Sequence, residues 1–363
     1  MRERLLASSV TLGCDPEFFF SQGGKVIGSE KVAPESLVSS RYTAGYGPQG
    51  HTKNFVLDGV QVELNPNPNP CRANLCNEIA SAFRSLRTHL KSLGEVKADF
   101  RTVIEVDPVE LASLSEKARM LGCAPSKNLY DKEATITVNP ETYMKRSAGG
   151  HIHIGLSSML LPHAERLVPI LDIVLGNTCV MIDRDPGTAE RRSVYGRAGE
   201  YRLPKHGLEY RTLSNFWLRA CPLTSFVLGM TRVCSNILYT TLVHSPTFDA
   251  ETTLLKRVDL DQVREAINTN DLALAKKNWE SIRPFLCLYN LSGTGVGAHN
   301  ASLFDYFVQR IEQKGIDYWF PEDPLEHWCA ILDAHHNSKG FESFLYGPVA
   351  NDLHTIQTRE NQK

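Results

Sequence analysis

Residues 199–213 read Gly199-Glu200-Tyr201-Arg202-Leu203-Pro204-Lys205-His206-Gly207-Leu208-Glu209-Tyr210-Arg211-Thr212-Leu213. Two copies of a Glu-Tyr-Arg triplet flank a Pro-Lys-His-Gly segment, a pattern that predicts a β-hairpin. A strand sends residues i and i+2 to the same face, so Glu209 pairs with Arg211 and Glu200 with Arg202. On a wet surface such pairs form ordinary cross-strand ion pairs. Against that reading, residues 184–219 hold eight basic groups (Arg184, Arg191, Arg192, Arg197, Arg202, Lys205, Arg211, Arg219) and four acidic ones. In a chain with a net charge of −2 that local excess marks an anion site, and guanidinium forks suit phosphates.

Two further clusters share the two-apart spacing. Asp15-Pro16-Glu17 lies between Val10–Leu12 and Phe18-Phe19-Phe20, within a buried strand expected over 10–20. Carboxylates on a buried strand need partners or a metal. Gly149-Gly150-His151-Ile152-His153-Ile154-Gly155 puts two imidazoles on one strand face and two isoleucines on the other. A second strand is expected over Phe55–Leu64; within it Asp58 and Glu63 fall on opposite faces unless Gly59 marks a bulge. The two imidazoles suit either metal ligation or phosphate contact; with no His-Glu-x-x-His helix and no close cysteine pair, a carboxylate-rich set of this kind suits Mg²⁺ or Mn²⁺ better than zinc.

Outward from these strands, helices are expected. Leu75, Ile79, Phe83, Leu86, Leu90 and Leu93 recur at spacings of four and three, with Gly94 as the stop. A long helix is expected from about 160 to 181, another from about 219 to 244, and helical segments near 260–268, 271–285, 302–314 and 324–337. Short strands are expected at Phe100–Val106 and Ala134–Val138. The prolines of Asn65–Pro70 end the strand before them. Residues 41–54 and 120–133 read as loops that could meet substrate, with Lys127 and Arg146 as candidate partners of a carboxylate. The organisation expected is a catalytic domain over 1–244 and a helical C-terminal annex over 245–363, packed on the same domain.

Composition narrows the class. A hydrophobic fraction of 42% and a charged fraction of 22% describe an ordinary globular protein, and near-neutral charge predicts no nucleic-acid or membrane partner. Nine scattered cysteines fit buried thiols in a reducing compartment better than a disulfide framework. The apolar stretches near 167–182 and 220–243 are interrupted by Asp172 and Arg232 and read as buried helices. The expected location is the cytoplasm, that of a host if the chain is phage-encoded. Nucleic acid is disfavoured because the basic segment lacks interleaved aromatic stacking residues. Homo-oligomerisation is left open.

Taken in order, the clusters resemble the glutamine synthetase and glutamate–cysteine ligase superfamily, most closely its phage-type carboxylate-amine ligases (amidoligases). The matching stretches are Gly13–Phe19, Val62–Pro66, Ala148–Gly155, Tyr195–Arg202 and Gly207–Ser214, within about residues 10–240. The resemblance implies an α+β fold: a curved antiparallel β-sheet flanked by helices, with divalent metals on its concave face between ATP and substrate. It implies Glu17 and Glu63 on one metal, with Asp58 as an open further candidate, and Asp15, His151 and Glu209 on the other. His153, Arg211 and Arg202 would lie towards the nucleotide, and Arg211, Glu209 and Glu17 would carry catalysis. The implied reaction is ATP- and Mg²⁺-dependent amide formation through an acyl phosphate, joining a small-molecule or peptide carboxylate to an amine. Two other readings use the same residues: a metal-dependent hydrolase of an amide or phosphoester, and a non-catalytic binding protein.

Overall fold

The computed structural model describes residues 10–33, 36, 38, 54–120, 126–132, 139, 142–243, 249–289, 304–305, 308–309, 313 and 321–336. The strand expected at Ala134–Val138, most of the loop over 41–54, part of that over 120–133, and much of the helix expected over 302–314 lie outside these residues. Among the described residues the strands are β1 (Val10–Cys14), β2 (Glu17–Gln22), β3 (Lys25–Ile27), β4 (Phe55–Asp58), β5 (Gln61–Leu64), β6 (Val96–Asp99), β7 (Val103–Glu105), β8 (Lys127–Asn128), β9 (Lys145–Ser147), β10 (Ile152–Leu156), β11 (Glu200–Arg202) and β12 (Gly207–Tyr210). One antiparallel sheet runs β1-β10-β12-β11-β8. A second runs β3-β2-β5-β4, with β6 also on β2, and β7 pairs with β9 separately. The result is a mixed α/β fold with a curled antiparallel sheet.

Two strands expected to be continuous are broken, and both breaks shape the site. The strand over 10–20 divides at Asp15-Pro16 into β1 and β2. Pro16 has no N–H for a ladder, and the chain changes partners there. β1 pairs with β10, Cys14 opposite Ile152, whereas β2 pairs with β5, Glu17 opposite Glu63. Hydrogen bonds from Asp15 N to His151 O (3.4 Å) and from Glu17 N to Gly149 O (2.8 Å) carry the chain across the junction. The strand over 55–64 is instead a hairpin, β4 and β5, turning at Gly59-Val60. Gly59 has φ +68°, a conformation glycine adopts without the Cβ penalty.

Helices cover the sheets. Arg72–Ser92 buries Leu75, Ile79, Phe83, Leu86 and Leu90, while Leu93, expected on that face, lies past the helix end and is exposed. Phe83 meets Phe18 of β2 edge-on with centroids 5.7 Å apart, and Phe100 stacks on Phe18 at 5.1 Å. Among the described residues Cys221–Val243 is long and apolar enough to cross a membrane, but it is packed in the core over most of its length.

The helix expected over 160–181 is irregular: a 3₁₀ turn (Leu161–Arg166), a short α-helix (Leu167–Leu171), a π-helical turn (Asp172–Gly176) and a second α-helix (Asn177–Ile182). At the wide turn the buried Asp172 carboxylate accepts hydrogen bonds from Tyr210 Oη (2.7 Å) and Tyr130 Oη (2.8 Å). Tyr210 lies between Glu209 and Arg211 in sequence, so this polar contact anchors β12 from behind.

Candidate functional site

The expected hairpin is β11 and β12, with Arg202 opposite Glu209. Gly207 closes its turn at φ +154°, where an added Cβ would lie 2.0 Å from Ile154 O of β10. β12 therefore sits tight against β10, with Glu209 opposite His153. His151 directly precedes β10, and Asp15 directly follows β1. Asp15, His151 and Glu209 thus each aim one ligand-type atom at a common space, all three within 4.8 Å of one another.

Glu17, Asp58 and Glu63 form a second set with the same closeness. The sequence separated Asp58 from Glu63 because it read one strand. In the hairpin Val56 stands opposite Glu63, and Asp58, two residues on from Val56, takes the same face. Asp15 and Glu17 fall into different sets for the reason given by Pro16: the chain changes sheets between them.

The two sets differ electrically. Burial pushes the Glu17 carboxyl well above its usual range, and the charges of Asp58 and Asp15 add to this against the pull of the Gly149 N–H. Glu63 is raised well above its usual range by burial and then by Asp15, Asp58, Glu17 and Glu209. Asp58 is raised by burial foremost. For Asp15, burial is outweighed by the charges of His153 and His151, which hold it well below the ordinary value. Burial also lowers His151 to about 4, so its imidazole is neutral at pH 7 and can offer a lone pair. Asp15 lifts His153 above its usual value despite burial.

This donor set suits a hard divalent cation. Each set gathers oxygen ligands, with one imidazole in total, as Mg²⁺ or Mn²⁺ favours. Asp15 Oδ1 and Glu209 Oε1 are buried with no hydrogen bond formed to them, although His151 Nδ1 lies 3.3 Å from the first and Arg211 Nη1 3.0 Å from the second. The mutual repulsion of Glu17, Asp58 and Glu63 is the kind of cost that a bound cation offsets. Their carboxyls hold protons more tightly folded than unfolded, so the stability they contribute is present below the unfolded pKa, about 4, and is lost as pH rises through the folded one. Asp15, held low, works in the opposite sense. Mg²⁺ should therefore raise the melting temperature more at pH 8 than at pH 5. Differential scanning fluorimetry checks this, and an equal rise at both values contradicts it.

Beside the metal-type sets lies a cationic corner. Arg211 is fully buried; its Nε donates to Tyr195 Oη (2.6 Å) and its Nη1 pairs with Glu209. Arg191 donates to the carbonyls of Arg211 (3.2 Å) and Thr212 (3.1 Å), fixing the backbone there. Arg202 reaches Glu209 Oε2 at 3.6 Å from a partly exposed position. His153 bonds Asp15 Oδ2 through Nε2 (2.9 Å) and His206 through Nδ1 (3.2 Å). Glu200, the look-alike of Glu209, is spent on its own turn, accepting from the amides of Gly196 and Arg197 (both 3.1 Å).

Of the two basic residues offered for a substrate carboxylate, Lys127 is exposed on β8. Arg146 is buried, and its guanidinium donates to the carbonyls of Tyr143, Lys145 and Arg119. Those bonds give Arg146 a structural role. Sequence reasoning gave no part to Tyr195, which joins His151 to Arg211, or to His206, which backs His153 from the hairpin turn. Both lie in the quoted stretches, but neither has a spacing partner that would single it out.

Comparison with known proteins bears on the same residues. A family model described as "Phage phiEco32-like COOH.NH2 ligase-type 2" matches residues 105–254. The matched region contains His151, His153, Tyr195, Arg202, Glu209 and Arg211, whereas Asp15, Glu17, Asp58 and Glu63 precede it and meet it only through the fold. No curated protein matches the chain. Among solved structures, the bifunctional glutathione synthetase of Pasteurella multocida aligns at 12% identity and a TM-score of 0.40. That alignment covers 90% of this chain and 53% of the synthetase, so the chain spans about half the synthetase's length. A glutamine synthase homologue aligns at 12% identity and a TM-score of 0.30, covering 85% of this chain and 72% of the other. Over residues 105–254 the chain is therefore similar to the phage phiEco32-like COOH-NH2 ligase type 2 family.

Proposed function

We propose that this protein joins a carboxylate to an amine at the expense of ATP, by way of an acyl phosphate. The observation that carries the reading is the convergence of two acidic sets beside a buried arginine. A free carboxylate resists attack by an amine because of its charge; transferring the γ-phosphoryl group to a carboxylate oxygen creates a good leaving group. The amine then adds to the carbonyl carbon, its nitrogen gives up a proton to the departing phosphate or to solvent, phosphate leaves with that oxygen, and an amide remains.

Each residue has a task in this scheme. Glu17, Asp58 and Glu63 would hold one divalent cation, and Asp15, His151 and Glu209 a second. When bound, Mg²⁺ or Mn²⁺ neutralises charge on the phosphoryl oxygens. Arg211 contributes a fixed positive charge at the transferring group, while Glu209 holds its guanidinium in place. His153, braced by Asp15 and His206, and the partly exposed Arg202 face the nucleotide side. The domain division is proposed as 1–244 for catalysis and 245–363 as a helical annex on the same body. Its support is that Asn268 accepts from Ala198 N (2.9 Å) and Asn270 from Arg192 (2.6 Å), so residues beyond 245 brace the approach to the hairpin.

The test is incubation with ATP, Mg²⁺ and pools of acids and amines. ADP and phosphate are expected only when both an acid and an amine are present, together with a product mass equal to their sum less water. Cleavage of an amide or phosphoester without ATP would replace this reading with the hydrolase one.

A further inference from the structure

Tyr195 lies between the two halves of the site. Its Oη is 2.5 Å from His151 Nε2 and 2.6 Å from Arg211 Nε. Arg211 can only donate, so the Tyr195 oxygen accepts from it. The other contact has two forms. With the His151 proton on Nδ1, facing Asp15 Oδ1 at 3.3 Å and Glu209 Oε1 at 3.7 Å, Nε2 accepts from the Tyr195 hydroxyl. With the proton on Nε2, the ring donates to Tyr195 and Nδ1 turns a lone pair towards the two carboxylates. Only the second form can ligate a cation held between Asp15 and Glu209.

We infer that Tyr195 is the positioning residue that holds His151 in its metal-binding tautomer and ties it to Arg211. This rests on the metal reading given under the proposed function. An oxygen has two lone pairs, so Tyr195 can accept from Arg211 Nε and His151 Nε2 together. Metal-ligating imidazoles characteristically donate their second N–H to such an acceptor, which fixes both ring orientation and tautomer. The tyrosine ring is itself held: the Arg191 and Arg211 guanidinium carbons lie 4.6 and 5.0 Å from its centroid. Gly196, at φ +83°, admits Arg191 so closely that an added Cβ would overlap its guanidinium, which explains the glycine after Tyr195. One hydroxyl thus links the group that would ligate the cation to the group that would neutralise the phosphoryl oxygens.

Tyr195→Phe removes the hydroxyl and keeps the ring between its two guanidinium groups. Mn²⁺ titration followed by electron paramagnetic resonance, without nucleotide, is expected to find two sites in the wild type. Asp15→Asn should remove one of them. Tyr195→Phe should weaken that same site by about 10–100-fold and leave the other unchanged. Unchanged affinity at both sites in Tyr195→Phe would overturn the inference while leaving the metal reading standing. No Mn²⁺ binding by the wild type, or two intact sites in Asp15→Asn, would overturn the metal reading and the inference with it. Nitrogen NMR of histidine-labelled wild type reads the tautomer with no dependence on how the variant folds, the His151 signal being assigned by its loss in His151→Gln. His151 is expected to carry its proton on Nε2 once Mg²⁺ is added; a proton remaining on Nδ1 would overturn the inference.

Discussion

Glu17→Gln should cut amide formation by about 10³-fold or more and, in the absence of metal, make the protein more stable. The two effects have one cause. Glu17, Asp58 and Glu63 crowd three carboxylates within 4.8 Å; burial raises all three above their usual proton affinity, and the charge of Asp58 adds to this at Glu17 and at Glu63. Gln keeps the shape and an oxygen to accept the Gly149 N–H, a 2.6 Å bond in the native protein, but removes the charge that Glu17 carries once pH rises above its raised pKa, so the gain in stability is read at alkaline pH. Relief of repulsion between charges about 5 Å apart is worth on the order of 1–3 kcal/mol at the effective dielectric of a protein site. That corresponds to a rise of a few degrees in melting temperature. The same missing charge weakens the hold on a cation, and a metal clamp supplies several kcal/mol of transition-state stabilisation, each 1.4 kcal/mol or so being about tenfold in rate. Calorimetry of the metal-free variant and a turnover assay together decide the matter. A variant that loses stability along with activity would mean that Glu17 holds the fold rather than a cation.

Arg211→Lys should lower turnover by roughly 10²–10³-fold while the fold survives. Lysine preserves the positive charge beside Glu209, so the buried carboxylate is not left alone. What it loses is the planar fork, which in the native protein donates from Nε to Tyr195 and forms an ion pair through Nη1 with Glu209. An ammonium can satisfy one of those directions at a time and cannot also present a fixed edge to a phosphoryl group. A matched circular dichroism spectrum with the expected drop in turnover supports the assignment. Activity within threefold of the wild type would remove Arg211 from the chemistry.

Much of this arrangement was legible in the sequence, and the misses have physical causes. The hairpin at 199–213 announced itself because its turn residues and doubled triplet are local signals. Likewise the helix at Arg72–Ser92 follows from apolar spacing alone. Both broken strands were misread for one reason: apolar alternation continues through a break. Pro16 and Gly59 carried the warning, and at Gly59 the break is what brings Asp58 beside Glu63. The π-helical turn at Asp172 was invisible because it answers to Tyr210 and Tyr130, which reach it from 38 and 42 residues away. Tyr195 was hidden similarly, since its contacts to His151 and Arg211 span 44 and 16 residues and follow no repeat.

The most direct test of the central claim, activation of a carboxylate by phosphoryl transfer, follows oxygen atoms. Once an acid is found that supports ADP release, it is supplied with both carboxylate oxygens labelled with ¹⁸O, alongside ATP, Mg²⁺ and the amine. The account predicts one ¹⁸O in each phosphate released and one retained in the amide. Phosphate free of the label, with its new oxygen drawn from water, would contradict it.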